Sequence, residues 1–138
     1  RRFTIVAAVG AERLGLSDGV CVPQEQSFCF HMARKAAPNL SNDAGGDPVY
    51  GALPAQQVLG VGSYLGLPLE TPEGRPFGSV CAMSRSPFAF TRADRRLLTV
   101  FALVLSQIVN RERSAREAAE GAAPSLAVTL GLGSPAGP

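Results

Sequence analysis

The sequence predicts an α+β domain in which an antiparallel sheet is flanked by helices and closed by a long C-terminal helix. Three features carry the prediction. A β-favouring run opens the chain, an alternating apolar run at residues 62–70 turns back at Glu73-Gly74, and a capped apolar helix starts at Thr91. At 138 residues, with 46% hydrophobic and 17% charged side chains, the chain fills one core and is too short for two.

Residues 3–9, Phe-Thr-Ile-Val-Ala-Ala-Val, favour a strand that stops at Gly10. Residues 12–23 hold Gly15, Gly19 and Pro23 and read as loop. Ser27 caps a helix running to Lys35, with Phe28, Cys29 and Met32 on one face, and Pro38 ends it. Residues 39–43 are a short extended piece leading into Gly45-Gly46. Asp47-Pro48, a cap and a first-turn proline, then start a small helix.

In residues 62–70, Leu65, Leu67 and Leu69 share one face, and Tyr64, Gly66 and Pro68 share the other. Residues 76–83 return as the second arm of a hairpin, with Ser79, Cys81 and Met83 on one side and Val80 and Ala82 on the other. Pro68 cannot donate to a ladder, which places it at an edge or at the end of pairing.

The last helix is the strongest element. Thr91 and Asp94 form a capping box, and Leu97, Phe101, Val104 and Ile108 make a stripe at i, i+4, i+7, i+11. Leu98, Leu105 and Val109 widen it until the helix is apolar nearly all round, so two sides need cover. One faces the sheet; the other is expected to meet a second copy through Leu98, Phe101, Leu105, Ile108 and Val109. Residues 113–121 continue as a charged helical extension, and residues 122–138, rich in Pro, Gly and Ala, read as flexible linker or tail.

Composition excludes several functions. A net charge of +2 points to no nucleic-acid partner, and the longest apolar run of the last helix, residues 100–105, is far short of a membrane span. No signal peptide is read, and three cysteines form no disulfide framework, which suggests reduced thiols and a cytoplasmic location. His31 is the single histidine, which removes any scheme that needs two imidazoles in one chain. No Gly-x-Ser-x-Gly elbow or P-loop is present, and the glycines of residues 60–66 lead into a strand, without the helix that would hold a phosphate. Arg85, Arg92, Arg95 and Arg96 gather near the start of the last helix and read as solvated surface.

Taken in order, Ser27-Phe-Cys29, Asn42-Asp43, Asp47-Pro48, Gly62-Ser-Tyr64, Leu67-Pro-Leu69, Gly74, Phe77-Gly78 and Cys81 resemble the GAF domain family. The likeness is nearest to the GAF domains that precede histidine kinase, diguanylate cyclase or phosphatase domains in bacterial signalling proteins. It covers residues 3–112, with a GAF-like domain set at residues 1–112. The resemblance implies an antiparallel sheet of about five or six strands. One face carries a small-molecule pocket, and the other packs the terminal helix that often makes a parallel dimer. Family members usually have a helix and a strand before the segment matching residues 3–9. That strand lies between the Phe3 and Phe77 strands, and leaving it out exposes backbone groups worth about 1–3 kcal/mol each if buried and unmet. The expectation is a chain truncated at its N-terminus.

On the resemblance, the pocket is lined by Cys29, Met32, Tyr64, Ser79, Cys81 and Met83, with Asp43 and Tyr50 near its mouth. Cys29 and His31 splay by about 200° on a helix and cannot grip one ion together, so no metal site is expected; a haem on His31 alone needs only one axial ligand. A bilin is disfavoured because Phe30 separates Cys29 from His31. No cofactor is named by the sequence. The reading is a non-enzymatic sensory domain that binds a small ligand, dimerises and controls an output domain. Its rival is a thiol oxidoreductase of GAF fold, similar to methionine sulfoxide reductases, working through Cys29 or Cys81, since Cys29 sits in a first helical turn where a thiolate is favoured.

Overall fold

The computed structural model describes residues 2–120 and 131–135. A six-stranded sheet is built from β1 (Arg2–Ala8), β2 (Cys21–Pro23), β3 (Leu40–Ser41), β4 (Ser63–Glu70), β5 (Pro76–Ser84) and β6 (Gly131–Pro135) in the order β2-β1-β6-β5-β4-β3. Two short helices, α1 (Phe28–Ala33) and α2 (Pro54–Leu59), are joined by a long one, α3 (Arg92–Ala119). Among the described residues, no helix is long and apolar enough to cross a membrane.

The β4–β5 hairpin is the centre of the sheet. Tyr64 pairs with Met83, Gly66 with Cys81 and Leu67 with Val80, and the turn closes at Gly74 with φ +82°. The alternation separates two cores as the sequence predicts. Tyr64, Cys81 and Met83 join Phe28, Met32, Tyr50 and Val61 on one face; Leu69 and Val80, with Leu67, join Ala102 on the other. Pro68 lies beyond the two-residue β3, whose pairing with β4 stops at Leu65, so its missing N–H interrupts nothing on that side.

α3 packs on the second face, and its phase differs from the expected one. Leu98 and Leu105 lie against the Leu69–Val80–Ala102 cluster, and Val109 is buried. The helix is tethered at the end of β4, where Ser106 Oγ accepts from Glu70 N at 3.0 Å and Asn110 Nδ2 donates to Glu70 O at 2.9 Å. The sheet therefore takes Leu98, Leu105 and Val109, three of the five residues expected at a dimer contact. The outward face presents Leu97, Val100, Phe101, Leu103, Val104 and Ile108 instead. The capping box is present, with Thr91 Oγ1 accepting from Asp94 N and Thr91 N donating to Asp94 Oδ2.

Other elements differ in detail. α1 is capped by Ser27, whose Oγ accepts from Phe30 N at 3.1 Å, but stops at Ala33, two residues before Lys35, which adopts φ +60°. Asp47 accepts from both Val49 N and Tyr50 N at 2.9 Å, yet the turn it caps is a single 3-10 turn, Tyr50–Ala52. Leu53 is extended before Pro54, which opens the unforeseen α2. Within residues 12–23, expected to be loop, Cys21–Pro23 pairs with β1 as β2. The stretch expected as linker or tail contains β6, which runs parallel to both β1 and β5 and occupies the slot between them; the rest of residues 122–138 lies outside the described residues.

Gly66 has a specific packing reason. A Cβ there would collide with the Tyr64 hydroxyl, and the Tyr64 ring cannot retreat because it is fully buried against Phe28 and Tyr50 at centroid distances of 5.3 and 5.0 Å. Gly66→Ala is therefore expected to lower unfolding stability by about 1–3 kcal/mol in urea titrations, the usual range for overpacking a filled core.

Candidate functional site

A hollow of about 420 Å³ opens on the sheet face opposite α3. Its floor is Ser79, Cys81 and Met83 of β5, and β1 adds Phe3, Thr4 and Ile5. The remaining wall comes from the start of α1 with Phe28 and Cys29, from α2 with Val58 and Leu59, and from the loop carrying Leu14 and Leu16. That loop is held over β1 by backbone bonds from Ile5 N to Val20 O and from Gly19 N to Ile5 O, and by Asp18, whose Oδ1 accepts from Ala8 N at 2.7 Å. β6 lies between the two strands of the floor, and its register sets Gly131 beside Ser79 and Gly133 beside Cys81, positions that add no side chain.

The lining is mostly apolar, with Thr4, Gln26, Ser27, Cys29, Ser79 and Cys81 as polar points; none of the described lining residues carries a formal charge. Phosphate or carboxylate recognition relies on cations or clustered N–H donors. The site as lined suits a neutral molecule.

Of the eight residues expected at the pocket, Cys29, Ser79, Cys81 and Met83 line the hollow. Met32, Tyr50 and Tyr64 do not; they form the packed layer behind it, where Phe28 stacks on Tyr50 at 4.8 Å. Asp43 is exposed and caps a 3-10 turn by accepting from Gly46 N. The β1, α2 and 11–22 loop contributions were not foreseen. The apolar Leu14, Leu16 and Val22 inside a glycine-containing loop were the signal available in the sequence.

His31 is not among the lining residues. Its Nε2 lies 2.8 Å from Glu25 O and its ring meets Phe30 edge-on at 5.2 Å, which leaves the haem reading without a cavity to serve. Among the described residues no group of three or more His, Cys, Asp or Glu is placed to hold a metal ion.

The buried phenols are satisfied. Tyr50 Oη donates to Pro38 O, and Tyr64 Oη donates to Cys29 Sγ at 3.3 Å. Cys29 thus sits among hydrogen-bonding neighbours, with Cys81 and Ser79 from β5 and Tyr64 from β4. Its pKa falls from 9.0 to about 7, chiefly through the hydrogen bond with Cys81 and then through Ser79 and Tyr64, with burial opposing. Burial first, and the neighbouring thiolate second, pushes both Tyr50 and Tyr64 upward.

A family model described as GAF domain matches residues 5–109. The chain belongs to the GAF domain family. Among curated proteins none matches it. The family accounts for the layered arrangement, a sheet with a hollow under short helices on one side and a long helix on the other, and places this GAF domain among sensory and regulatory domains in general.

The thiol also fixes a pH dependence. Because the folded state depresses the Cys29 pKa, its contribution to stability is complete above pH 9.0 and is lost as the pH falls through about 7. A displacement of that size corresponds to about 2–3 kcal/mol. The tyrosines work in the opposite sense, contributing fully below pH 10.0 and losing that contribution as the pH rises, so the window below 9.0 isolates the thiol. Urea unfolding is expected to show the wild-type GAF domain gaining stability from pH 7 to pH 9 relative to Cys29→Ser. Parallel curves for the two proteins would remove the thiolate from the folded state.

Proposed function

We propose that this GAF domain is a non-enzymatic sensory module of a cytoplasmic signalling protein. It takes a small, uncharged, largely apolar molecule in the hollow and pairs with a second copy through the outward face of α3 to control an output domain. The observation that carries the reading is the hollow itself. Its volume of about 420 Å³ and its apolar lining with a few polar points match small-molecule sites, which run from about 300 to 1,000 Å³. Pairing is supported by the outward face of α3, where Leu97 is 60% and Phe101 55% exposed beside Val100, Val104 and Ile108. β5 links the two, because Ser79, Cys81 and Met83 face the hollow while Val80, between them, packs in the α3 core. A ligand shifts the output to the extent that it prefers one arrangement of the paired helices.

Native mass spectrometry of gently purified protein is expected to detect a bound small molecule, lost in Ala55→Trp, which closes the mouth at α2. An empty wild-type hollow, with a melting temperature unmoved by a neutral apolar probe such as indole, would leave a purely structural domain. Sedimentation is expected to give a wild-type dimer and a Phe101→Asp monomer of unchanged helix content. Leu105→Asp instead destabilises the fold, because it puts a charge against the sheet core. A wild-type chain that stays monomeric at high concentration sinks the pairing. The rival methionine sulfoxide reductase-like reading through Cys29 or Cys81 requires turnover of free methionine sulfoxide with a dithiol reductant, and none is expected.

A further inference from the structure

Cys29 and Cys81 arrive at one point from different elements, α1 and β5, and both line the hollow. Their side chains are hydrogen-bonded to each other, and the Tyr64 hydroxyl donates to Cys29 Sγ at 3.3 Å. Gly66 opposite Cys81 leaves the space that lets the phenol reach this position. Cys81 is buried and Cys29 half-buried, while the third cysteine, Cys21, is exposed on β2 and contacts Thr4 Oγ1 at 3.3 Å. The groups facing Cys29 are Cys81 and Ser79 from β5, Tyr64 from β4 and Tyr50 from the 3-10 turn; none of them is a carboxylate or a cation.

We infer that Cys29 and Cys81 form a reversible dithiol site that a small organic hydroperoxide, admitted by the apolar hollow, converts to an intramolecular disulfide. The geometry supplies an attacking sulfur open to the cavity, a second sulfur already in contact with it, and a phenol that holds the first as an acceptor. The Cys29 thiolate attacks the terminal oxygen of the peroxide and the O–O bond breaks. The alkoxide takes up the proton that Cys29 released and leaves as the alcohol, and Cys29 becomes a sulfenic acid. The Cys81 sulfur then attacks the Cys29 sulfur, its S–O bond breaks, and hydroxide leaves with the Cys81 proton as water. Two thiols and one hydroperoxide give one disulfide, one alcohol and one water; the sulfurs lose two electrons and the peroxide gains them. The new bond ties α1 to β5 across the floor of the hollow. This inference goes beyond the sensory reading, since it needs the hollow and the two thiols but no resident ligand.

The test is treatment of the full chain with tert-butyl hydroperoxide near pH 7, followed by intact-mass and peptide mapping. The expected product has lost two hydrogens, carries a Cys29–Cys81 crosslinked peptide with Cys21 still alkylatable, and reverts with dithiothreitol. Cys29 is expected to be consumed about tenfold faster than exposed Cys21, as follows from its lower pKa. Cys81→Ser should stop at a sulfenic acid on Cys29 that dimedone traps, and Tyr64→Phe should still crosslink while moving the pH midpoint of the reaction upward. Crosslinks through Cys21, stepwise overoxidation of Cys29 in the wild type without a bridge, or unreacted Cys29 and Cys81 after Cys21 is consumed would each overturn the inference. Ligand occupancy in native mass spectrometry is read separately, so the two proposals fail independently.

Discussion

The pleat of the β4–β5 hairpin divides the molecule's chemistry between two faces. Each residue alternates its side chain across the sheet, and the register Gly66–Cys81 and Leu67–Val80 aligns the alternation of both strands. Tyr64, Cys81 and Met83 therefore belong to the hollow and its backing, and Leu67, Leu69 and Val80 to the helix α3. A slip of one residue would exchange these sets, placing two thiol-facing positions under α3 and leucines at the floor of the hollow. The turn at Gly74, with its positive φ, and the eight paired positions from Ser63 to Glu70 make such a slip costly. A sensing face and a pairing face need nothing more than a period of two to be kept apart.

Within the cavity face, size and polarity are arranged in layers. Phe28, Tyr50 and Tyr64 form a packed aromatic layer whose hydroxyls are satisfied by Pro38 O and Cys29 Sγ. That layer is rigid because each ring touches the other two, so it backs the hollow without collapsing into it. The floor is the opposite case. Ser79 and Cys81 are small, and the β6 register beside them is glycine, so no large side chain is available to fill the space. A tyrosine hydroxyl aimed at a sulfur and a serine on the neighbouring strand then leave a thiol as the most acidic group at the wall.

Much of this was legible in the sequence, and the gaps have physical causes. Alternation fixed which hairpin residues share a face, because a strand samples two faces and a single misplaced residue breaks the pattern. Thr91 and Asp94 announced the start of α3 for a similarly local reason, a reciprocal pair of hydrogen bonds. The phase of α3 was not legible. Leu97, Phe101, Val104 and Ile108 have the same spacing as Leu98, Ala102, Leu105 and Val109, one residue later. Periodicity weighs the two stripes by hydrophobicity and favours the first. The sheet selects the second, where Ala102 lets the helix approach closely and Ser106 and Asn110 reach the backbone of Glu70. Half of the pocket wall was illegible for another reason. Residues 11–22 carry glycines and no period, and only the long-range bonds to β1 turn their leucines inward. The brief helix α2 has too few residues to show periodicity at all.

The sheet's remaining oddity bears on how rigid the hollow can be. β6 pairs parallel with both neighbours while β1–β2, β3–β4 and β4–β5 pair antiparallel. Without a strand in that slot, β1 and β5 would each present unpaired N–H and C=O groups at the floor of an apolar cavity, a burden of about 1–3 kcal/mol for each group left unmet. A strand there joins the two halves of the floor, so that Phe3, Thr4 and Ile5 stay in register with Ser79, Cys81 and Met83. The distance between those two sets of side chains is the width of the hollow. Whatever occupies the slot therefore sets the ligand size that the hollow admits and the approach that the Cys29–Cys81 pair offers, which makes backbone pairing in the sheet, more than any single lining side chain, the determinant of the site's shape.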